Sequence, residues 1–128
     1  MERYDISGIL IGLRRSDYGF YVEIKMIGNI IYKDCVLALP ILEDVIKRVY
    51  DPGIKILVDA RKFSGSKVLT MWFDLLCSIK YCDKKFEKVA YLDRYGEKKI
   101  SSKISATLLK GKIKSFDGYT NALKWLES

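Results

Sequence analysis

Apolar and polar residues alternate near the start of the chain in the way that half-buried β-strands require. Residues 6–13 are mostly apolar, and within residues 18–27 apolar and polar side chains alternate from Phe20 to Met26. The polar residues 14–17 lie between these two stretches and predict a turn. We therefore expect an antiparallel hairpin at the start of the fold.

Beyond the hairpin, helical and strand-like patterns alternate to the end of the chain. Short apolar runs predict strands buried on both faces, whereas apolar residues that recur every three or four positions predict helices. The predicted elements are a helix over residues 32–50, a strand over 54–58, a helix over 67–81, a strand over 86–92, a helix over 97–109, a strand over 112–116 and a last helix. Pro40 is expected to kink or restart the first helix, and Asp117 to cap the last one.

This order, ββαβαβαβα, predicts an α/β fold. Strands that alternate with helices pair in parallel, so we expect a single-domain open mixed β-sheet with the antiparallel hairpin at one side and the remaining strands mainly parallel. About four helices are expected to cover the sheet. A chain of 128 residues, of which 49% are hydrophobic, can bury a real core, so residues 1–128 are interpreted as one domain.

Composition narrows the classes of function. The chain contains no histidine, which removes the general base of Ser-His-Asp and Cys-His catalysis and the commonest metal ligand. No Walker loop and no glycine-rich dinucleotide fingerprint is present. We therefore expect no bound metal and no cofactor. Carboxylates and lysines that could serve catalysis are present, but no pattern gathers them into a recognisable site, so no catalytic residues are assigned.

The three cysteines and the start of the chain indicate a compartment. Cys35, Cys77 and Cys82 are odd in number and lack the spacing of zinc ligands, so they are interpreted as reduced thiols. The charged first residues do not resemble a secretory signal, and no apolar run is long enough to span a bilayer. A cytoplasmic location is expected.

The net charge of +7 is concentrated in one segment. Residues 80–114 contain eleven Lys or Arg and four Asp or Glu, whereas the remaining residues are balanced. Such a segment attracts anions, which makes attachment to an anionic membrane one hypothesis. Nucleic acid is a less favoured partner because the cations are mainly lysines and no RNA- or DNA-binding motif is present. A solvated, lysine-rich surface is the simplest interpretation.

The helix predicted over residues 67–81 is apolar over a broader arc than contact with one sheet requires. It could contact both the sheet and a neighbouring helix, form a dimer face, or line an apolar pocket. The pocket hypothesis implies a lipid or another amphipathic ligand. Its apolar lining would be formed by Trp72, Phe73, Leu76, Ile104 and Leu108, with Lys99 and Lys103 at the rim to meet an anionic headgroup.

Several short patterns recur in a characteristic order over the last four-fifths of the chain. They are residues 28–30, 40–43 and 54–59, Phe63 with Gly65, Trp72 with Asp74, and residues 86–90, 111–116 and 122–126. Together they resemble the SpoIIAA-like family of the STAS superfamily. The resemblance implies an open α/β sheet related to STAS and CRAL-TRIO lipid-carrier domains. Those relatives are not enzymes, so the resemblance also implies a non-enzymatic binding module.

The resemblance also implies an interaction loop after the central strand. Anti-sigma-factor antagonists of the superfamily carry an Asp-Ser-Ser-Gly motif there, in which one serine is phosphorylated. Residues 59–66 take this place here and lack the double serine, so phosphoryl switching is not predicted. The alternative hypothesis is therefore a STAS-type protein-interaction or homodimeric module whose loop contains Asp59, Ser64, Ser66 and Lys67. Asp59 is expected to cap backbone amides of that loop.

Overall fold

The computed structural model of the chain describes residues 3–6, 8–17, 19–48, 53–63, 85–92 and 112–128. These residues form one six-stranded sheet and two helices. In chain order the elements are β1 (Arg3–Ile6), β2 (Ile9–Ser16), β3 (Gly19–Gly28), α1 (Tyr32–Lys47), β4 (Gly53–Phe63), β5 (Lys85–Leu92), β6 (Lys112–Phe116) and α2 (Tyr119–Glu127).

The strands lie in the sheet in the same order as in the chain. β1, β2 and β3 pair antiparallel, and β3, β4, β5 and β6 pair parallel. The mixed sheet with an antiparallel hairpin at one side is thus confirmed. Of the helices, α1 and α2 are present, whereas the two predicted over residues 67–81 and 97–109 lie outside the described residues. Among the residues described, no helix is both long and apolar enough to cross a membrane.

The first predicted strand is in fact divided in two at Gly8. Ile6 ends β1 and Ile9 begins β2, and Gly8 between them has a φ of +86°. The N–H of Ile27 donates a hydrogen bond to the carbonyl oxygen of Gly8, and a Cβ atom on Gly8 would lie 2.5 Å from the carbonyl oxygen of Ile27. Glycine is therefore required at this turn for both its conformation and its size.

The central strand β4 is longer than predicted. The apolar pattern indicated residues 54–58, but β4 continues to pair with β3 beyond Asp59, after a shift in register, until Phe63 pairs with Gly28. The polar residues Asp59, Arg61 and Lys62 interrupted the apolar run and concealed this extension. Asp59 therefore lies within a strand, and the prediction that it begins a loop is wrong.

Each side of the sheet is covered by one of the two described helices. The α1 side is the larger core, and β4 contributes Ile54, Ile56 and Val58 to it. The α2 side has a smaller apolar cluster, to which β4 contributes Leu57. Side chains of a strand alternate between the two faces, so Asp59 points to the α2 side.

Helix α1 begins at Tyr32 as predicted but ends at Lys47. Ile31 precedes it and has no polar side chain, so Asp34 supplies the cap by accepting a hydrogen bond from the Ile31 N–H at 3.1 Å. Pro40 is exposed and does not restart the helix, which is one continuous segment. Helix α2 is preceded by Gly118 rather than by Asp117 as its N-cap, so the predicted cap is wrong.

The end of α2 is held by a buried lysine. Lys88 of β5 is 8% exposed, and its Nζ donates to the carbonyl oxygens of Trp125 and Ser128 at 2.9 and 2.7 Å. The same ammonium lies 5.3 Å from the centre of the Trp125 ring. A cation at this end of a helix interacts favourably with the last carbonyl groups and with the helix dipole.

We expect Lys88→Met to lower the free energy of unfolding by roughly 1–3 kcal/mol, because these charge-assisted hydrogen bonds would be lost from a buried position. Amide exchange in α2 should become faster. The control is Lys55→Met, since Lys55 pairs with Lys88 in register but has no hydrogen bond or ion pair within the described part of the chain. Equal urea denaturation midpoints for the two variants would contradict this role of Lys88.

Candidate functional site

A charged pair occupies the α2 side of β4. The Asp59 side chain is buried, with a residue exposure of 5%, and Oδ1 accepts hydrogen bonds from the backbone N–H and the Nε of Arg61 at 3.2 and 3.0 Å. Oδ2 accepts a third from Nη2 of Arg61 at 2.9 Å. Residues two apart in a strand share one face, which brings the two side chains together. This bidentate geometry fixes the guanidinium group, whose side chain is 39% exposed.

The ionisation of Asp59 follows from opposing effects. Burial by itself raises the pKa of this carboxyl, but the hydrogen bonds from Arg61 and the charges of Arg61 and Lys25 outweigh it. The pKa of Asp59 therefore lies below its ordinary value, and the carboxylate stays ionised inside the sheet. The hydrogen bonds that the Arg61 guanidinium donates to Asp59 in turn raise the pKa of Arg61.

A second set of polar groups connects β3 to the start of α2. The hydroxyl of Tyr119 donates to Oε2 of Glu23 at 3.1 Å, and the hydroxyls of Tyr119 and Tyr21 are hydrogen-bonded to each other. Oε1 of Glu23 lies 3.5 Å from Nη2 of Arg14 on β2. We name these four residues together with Asp59 and Arg61 the polar network.

The two tyrosines of the polar network are held in their neutral form. Burial raises the pKa of Tyr119, and the hydrogen bond with Tyr21 and the charge of Glu23 raise it further. Burial also raises the pKa of Tyr21, although its hydrogen bond to Tyr119 opposes this. Neither hydroxyl is therefore prepared to act as a base or nucleophile near neutral pH.

The described residues contain little that could perform chemistry. No group of three or more His, Cys, Asp or Glu side chains within the described ranges could hold a metal ion. Cys35 of α1 is buried in the larger core. Burial together with the nearby Asp34 charge raises the pKa of its thiol to about 11. A thiol with so high a pKa is a poor nucleophile at neutral pH.

Helix α1 carries a different kind of surface. Its first two turns expose large apolar side chains to solvent, where an amphipathic helix normally places polar ones. We name this the α1 surface, and it consists of Ile31, Tyr32, Val36, Leu37 and Pro40. The second half of the same face is polar and includes the exposed ion pair of Asp44 with Arg48. An apolar surface of this kind is typical of a binding site.

Most of the predicted site residues lie outside the described residues. This applies to the predicted pocket of Trp72, Phe73, Leu76, Ile104, Leu108, Lys99 and Lys103, and to Ser64, Ser66 and Lys67 of the predicted loop. Asp59 does accept a hydrogen bond from a backbone amide, but that amide belongs to Arg61 within the same strand.

Sequence reasoning missed both the polar network and the α1 surface. The alternation in β3 indicated that Tyr21 and Glu23 share one face, but no local pattern connects them to Tyr119, which lies 98 and 96 positions further along the chain. The α1 surface had a signal in the sequence. Val36 and Leu37 fall outside the arc of apolar residues that faces the core, and they should have been recognised as exposed.

Comparison with known proteins assigns a family to this architecture. The profile of the SpoIIAA-like family matches residues 21–127, which extend from β3 to the end of α2. The chain belongs to the SpoIIAA-like family. The resemblance inferred from the short sequence patterns is thereby confirmed. No curated protein matches the chain.

A solved structure supports the SpoIIAA-like assignment. The chain is similar to an uncharacterized protein of the DUF3478 family with a SpoIIAA-like fold from Shewanella loihica PV-4, with a TM-score of 0.67 and 26% sequence identity. The similarity covers 98% of this chain and 99% of that one. The two proteins therefore share a SpoIIAA-like fold over nearly their whole length.

The Asp59–Arg61 pair should make stability depend on pH in the acid range. Because the folded-state pKa of Asp59 lies below its ordinary value of 3.8, its contribution is present above that value and is lost as the pH falls through the lower folded-state pKa. We expect Asp59→Asn to lower the free energy of unfolding by roughly 1–3 kcal/mol at pH 7. The difference in free energy of unfolding between the variant and wild type should shrink in strong acid. Urea denaturation at several pH values measures this. Asp17→Asn, at an exposed turn residue, is the control, and a pH-independent loss in Asp59→Asn would contradict the argument.

The Tyr119 hydroxyl should make stability depend on pH in the alkaline range, where stability falls as the pH rises. A tyrosine whose folded-state pKa is raised stays protonated in the fold but ionises in the unfolded chain above its ordinary value of 10.0, so stability falls as the pH rises above that value. Tyr119→Phe should lower the free energy of unfolding by roughly 1–2 kcal/mol at pH 7, because the hydrogen bonds of the hydroxyl are lost. Above about pH 10, the free energy of unfolding of this variant should fall less steeply than that of wild type. Denaturation curves at neutral and alkaline pH test this, with Tyr32→Phe as the control. Parallel declines in wild type and Tyr119→Phe would show that Tyr119 does not contribute.

Proposed function

We propose that this SpoIIAA-like chain is a non-catalytic protein-interaction module of the STAS type and that its partner binds the α1 surface. The observation that carries the proposal is the exposure of large apolar side chains there, with Ile31 at 55% and Leu37 at 53%. Monomeric proteins rarely leave several such side chains adjacent to one another in water unless the surface has a use.

Covering the α1 surface would stabilise a complex. Full burial of a Val, Leu or Ile side chain contributes about 1.5–3 kcal/mol, and these side chains are already partly covered, so each would contribute a fraction of that. Tyr32 adds an aromatic ring with a polar hydroxyl, a combination that is enriched in interfaces. Contributions of this size suit a reversible regulatory contact.

The polar network has a structural role in this proposal. It lies on the α2 side of the sheet, opposite α1, and its charged and hydroxyl groups are paired with one another. Such pairing holds β2, β3, β4 and α2 in fixed positions and so supports the scaffold that presents α1.

Two other functions remain predictions from the sequence. Binding of a lipid or another amphipathic ligand depends on residues around Trp72 and Ile104, and peripheral attachment to anionic membrane depends on residues 80–114. The lining of the predicted pocket and most of the basic segment lie outside the described residues. The α1 surface therefore supports protein interaction more directly.

We expect a photo-reactive amino acid at position 37 to form a covalent adduct with a protein partner in cells that express the chain. The same group at position 17, an exposed residue of the turn between β2 and β3, should form none. Val36→Glu should reduce the adduct at position 37, because a buried carboxylate without a partner opposes association. Denaturing electrophoresis and mass spectrometry measure the adducts. Equal labelling from the two positions, or none from position 37, would refute the proposal.

A further inference from the structure

Four exposed residues form a regular seam along the outer face of α1. Lys33, Leu37, Pro40 and Asp44 are separated by four, three and four positions, and all four are exposed. This is the spacing at which two helices pack side by side along a shared stripe. The seam has a cation at one end, an anion at the other, and two apolar residues between them.

This seam is complementary to itself when it is reversed. If two copies of α1 pack antiparallel about a twofold axis between Leu37 and Pro40, Leu37 of each copy lies opposite Pro40 of the other. The same operation places Lys33 of each copy opposite Asp44 of the other. A twofold interface requires this kind of self-complementary surface.

We propose that the α1 surface binds a second copy of this chain, as an antiparallel helix pair with reciprocal Lys33–Asp44 ion pairs. The inference rests on the proposed function and names its partner. Val36 lies beside the seam and extends the apolar contact, since it is also exposed. Asp44 already binds Arg48 at 2.9 Å, and a carboxylate has room to accept from Lys33 of the other copy as well.

The charges favour a second copy over a membrane surface. An anionic bilayer would attract Lys33 but repel Asp44 at the other end of the same seam. A second copy in the antiparallel arrangement satisfies both charges. One helix from each copy is a small interface, so the dimer should be reversible, with a Kd on the order of 10 µM.

Exchange of the two charges tests the arrangement. Sedimentation velocity over a range of concentrations would measure the dimer Kd of wild type, Lys33→Asp, Asp44→Lys and the double variant. Each single change creates two like-charge contacts in a twofold interface, so we expect each to raise the Kd roughly tenfold or more. The double variant restores opposite charges at both positions and should return the Kd to within roughly threefold of wild type.

The controls separate folding from association. Lys33 and Asp44 are exposed, so circular dichroism should show the same helix content in all variants. Asp17→Lys makes the same change of charge as Asp44→Lys at an exposed residue outside the seam, and it should leave the Kd unchanged.

The possible results separate this inference from the proposed function. A wild-type chain that stays monomeric at millimolar concentration, or a double variant that does not recover, would overturn the inference. If position 37 then forms adducts with a different protein, the proposed function stands and only the identity of the partner is wrong. Stronger binding of Asp44→Lys than of wild type to vesicles containing phosphatidylglycerol, with no effect on self-association, would assign the α1 surface to membrane and overturn both.

Discussion

The fold depends on a central strand that is paired on both edges and covered on both faces. β4 lies between β3 and β5, and its residues from Ile54 to Ala60 are buried or nearly so. A charge in such a position loses its hydration, so it must be compensated by groups within reach. Asp59 is compensated by Arg61 from the same strand, whose backbone and guanidinium together supply three hydrogen bonds. The strand can therefore carry a carboxylate into the sheet, where Asp59 pairs with Lys25 of β3 just before the register shifts.

Polar contacts with the sheet also fix the position of α2. A helix of nine residues is marginally stable alone, so its position must come from tertiary contacts. Tyr119 at its start joins Glu23 and Tyr21 of β3, and Lys88 of β5 binds the carbonyl groups at its end. Both ends of α2 are thus held by polar contacts with the sheet, while Ala122 and Leu126 fill the space between them.

Helix α1 differs from α2 because several of its large apolar side chains are exposed. The face that contacts the sheet is filled by Cys35, Ala38, Leu42, Val45 and Ile46. The outer face of its first half also carries large apolar side chains, and these are exposed. Among the described residues, polar groups thus secure both ends of α2 to the sheet, whereas α1 packs on it through apolar side chains.

The amino-acid sequence by itself determined the family, the mixed sheet and the positions of most strands, because these depend on local alternation and on the order of elements. It determined β6 at residues 112–116 and the start of α1 at Tyr32, which the structure places at the same residues. Only the tertiary structure decided that β4 continues to Phe63, because pairing with β3 overrides the polar residues that interrupt its pattern. It alone brought Tyr119 to Glu23, since a contact across 96 positions is set by the packing of α2 on the sheet and leaves no local periodicity.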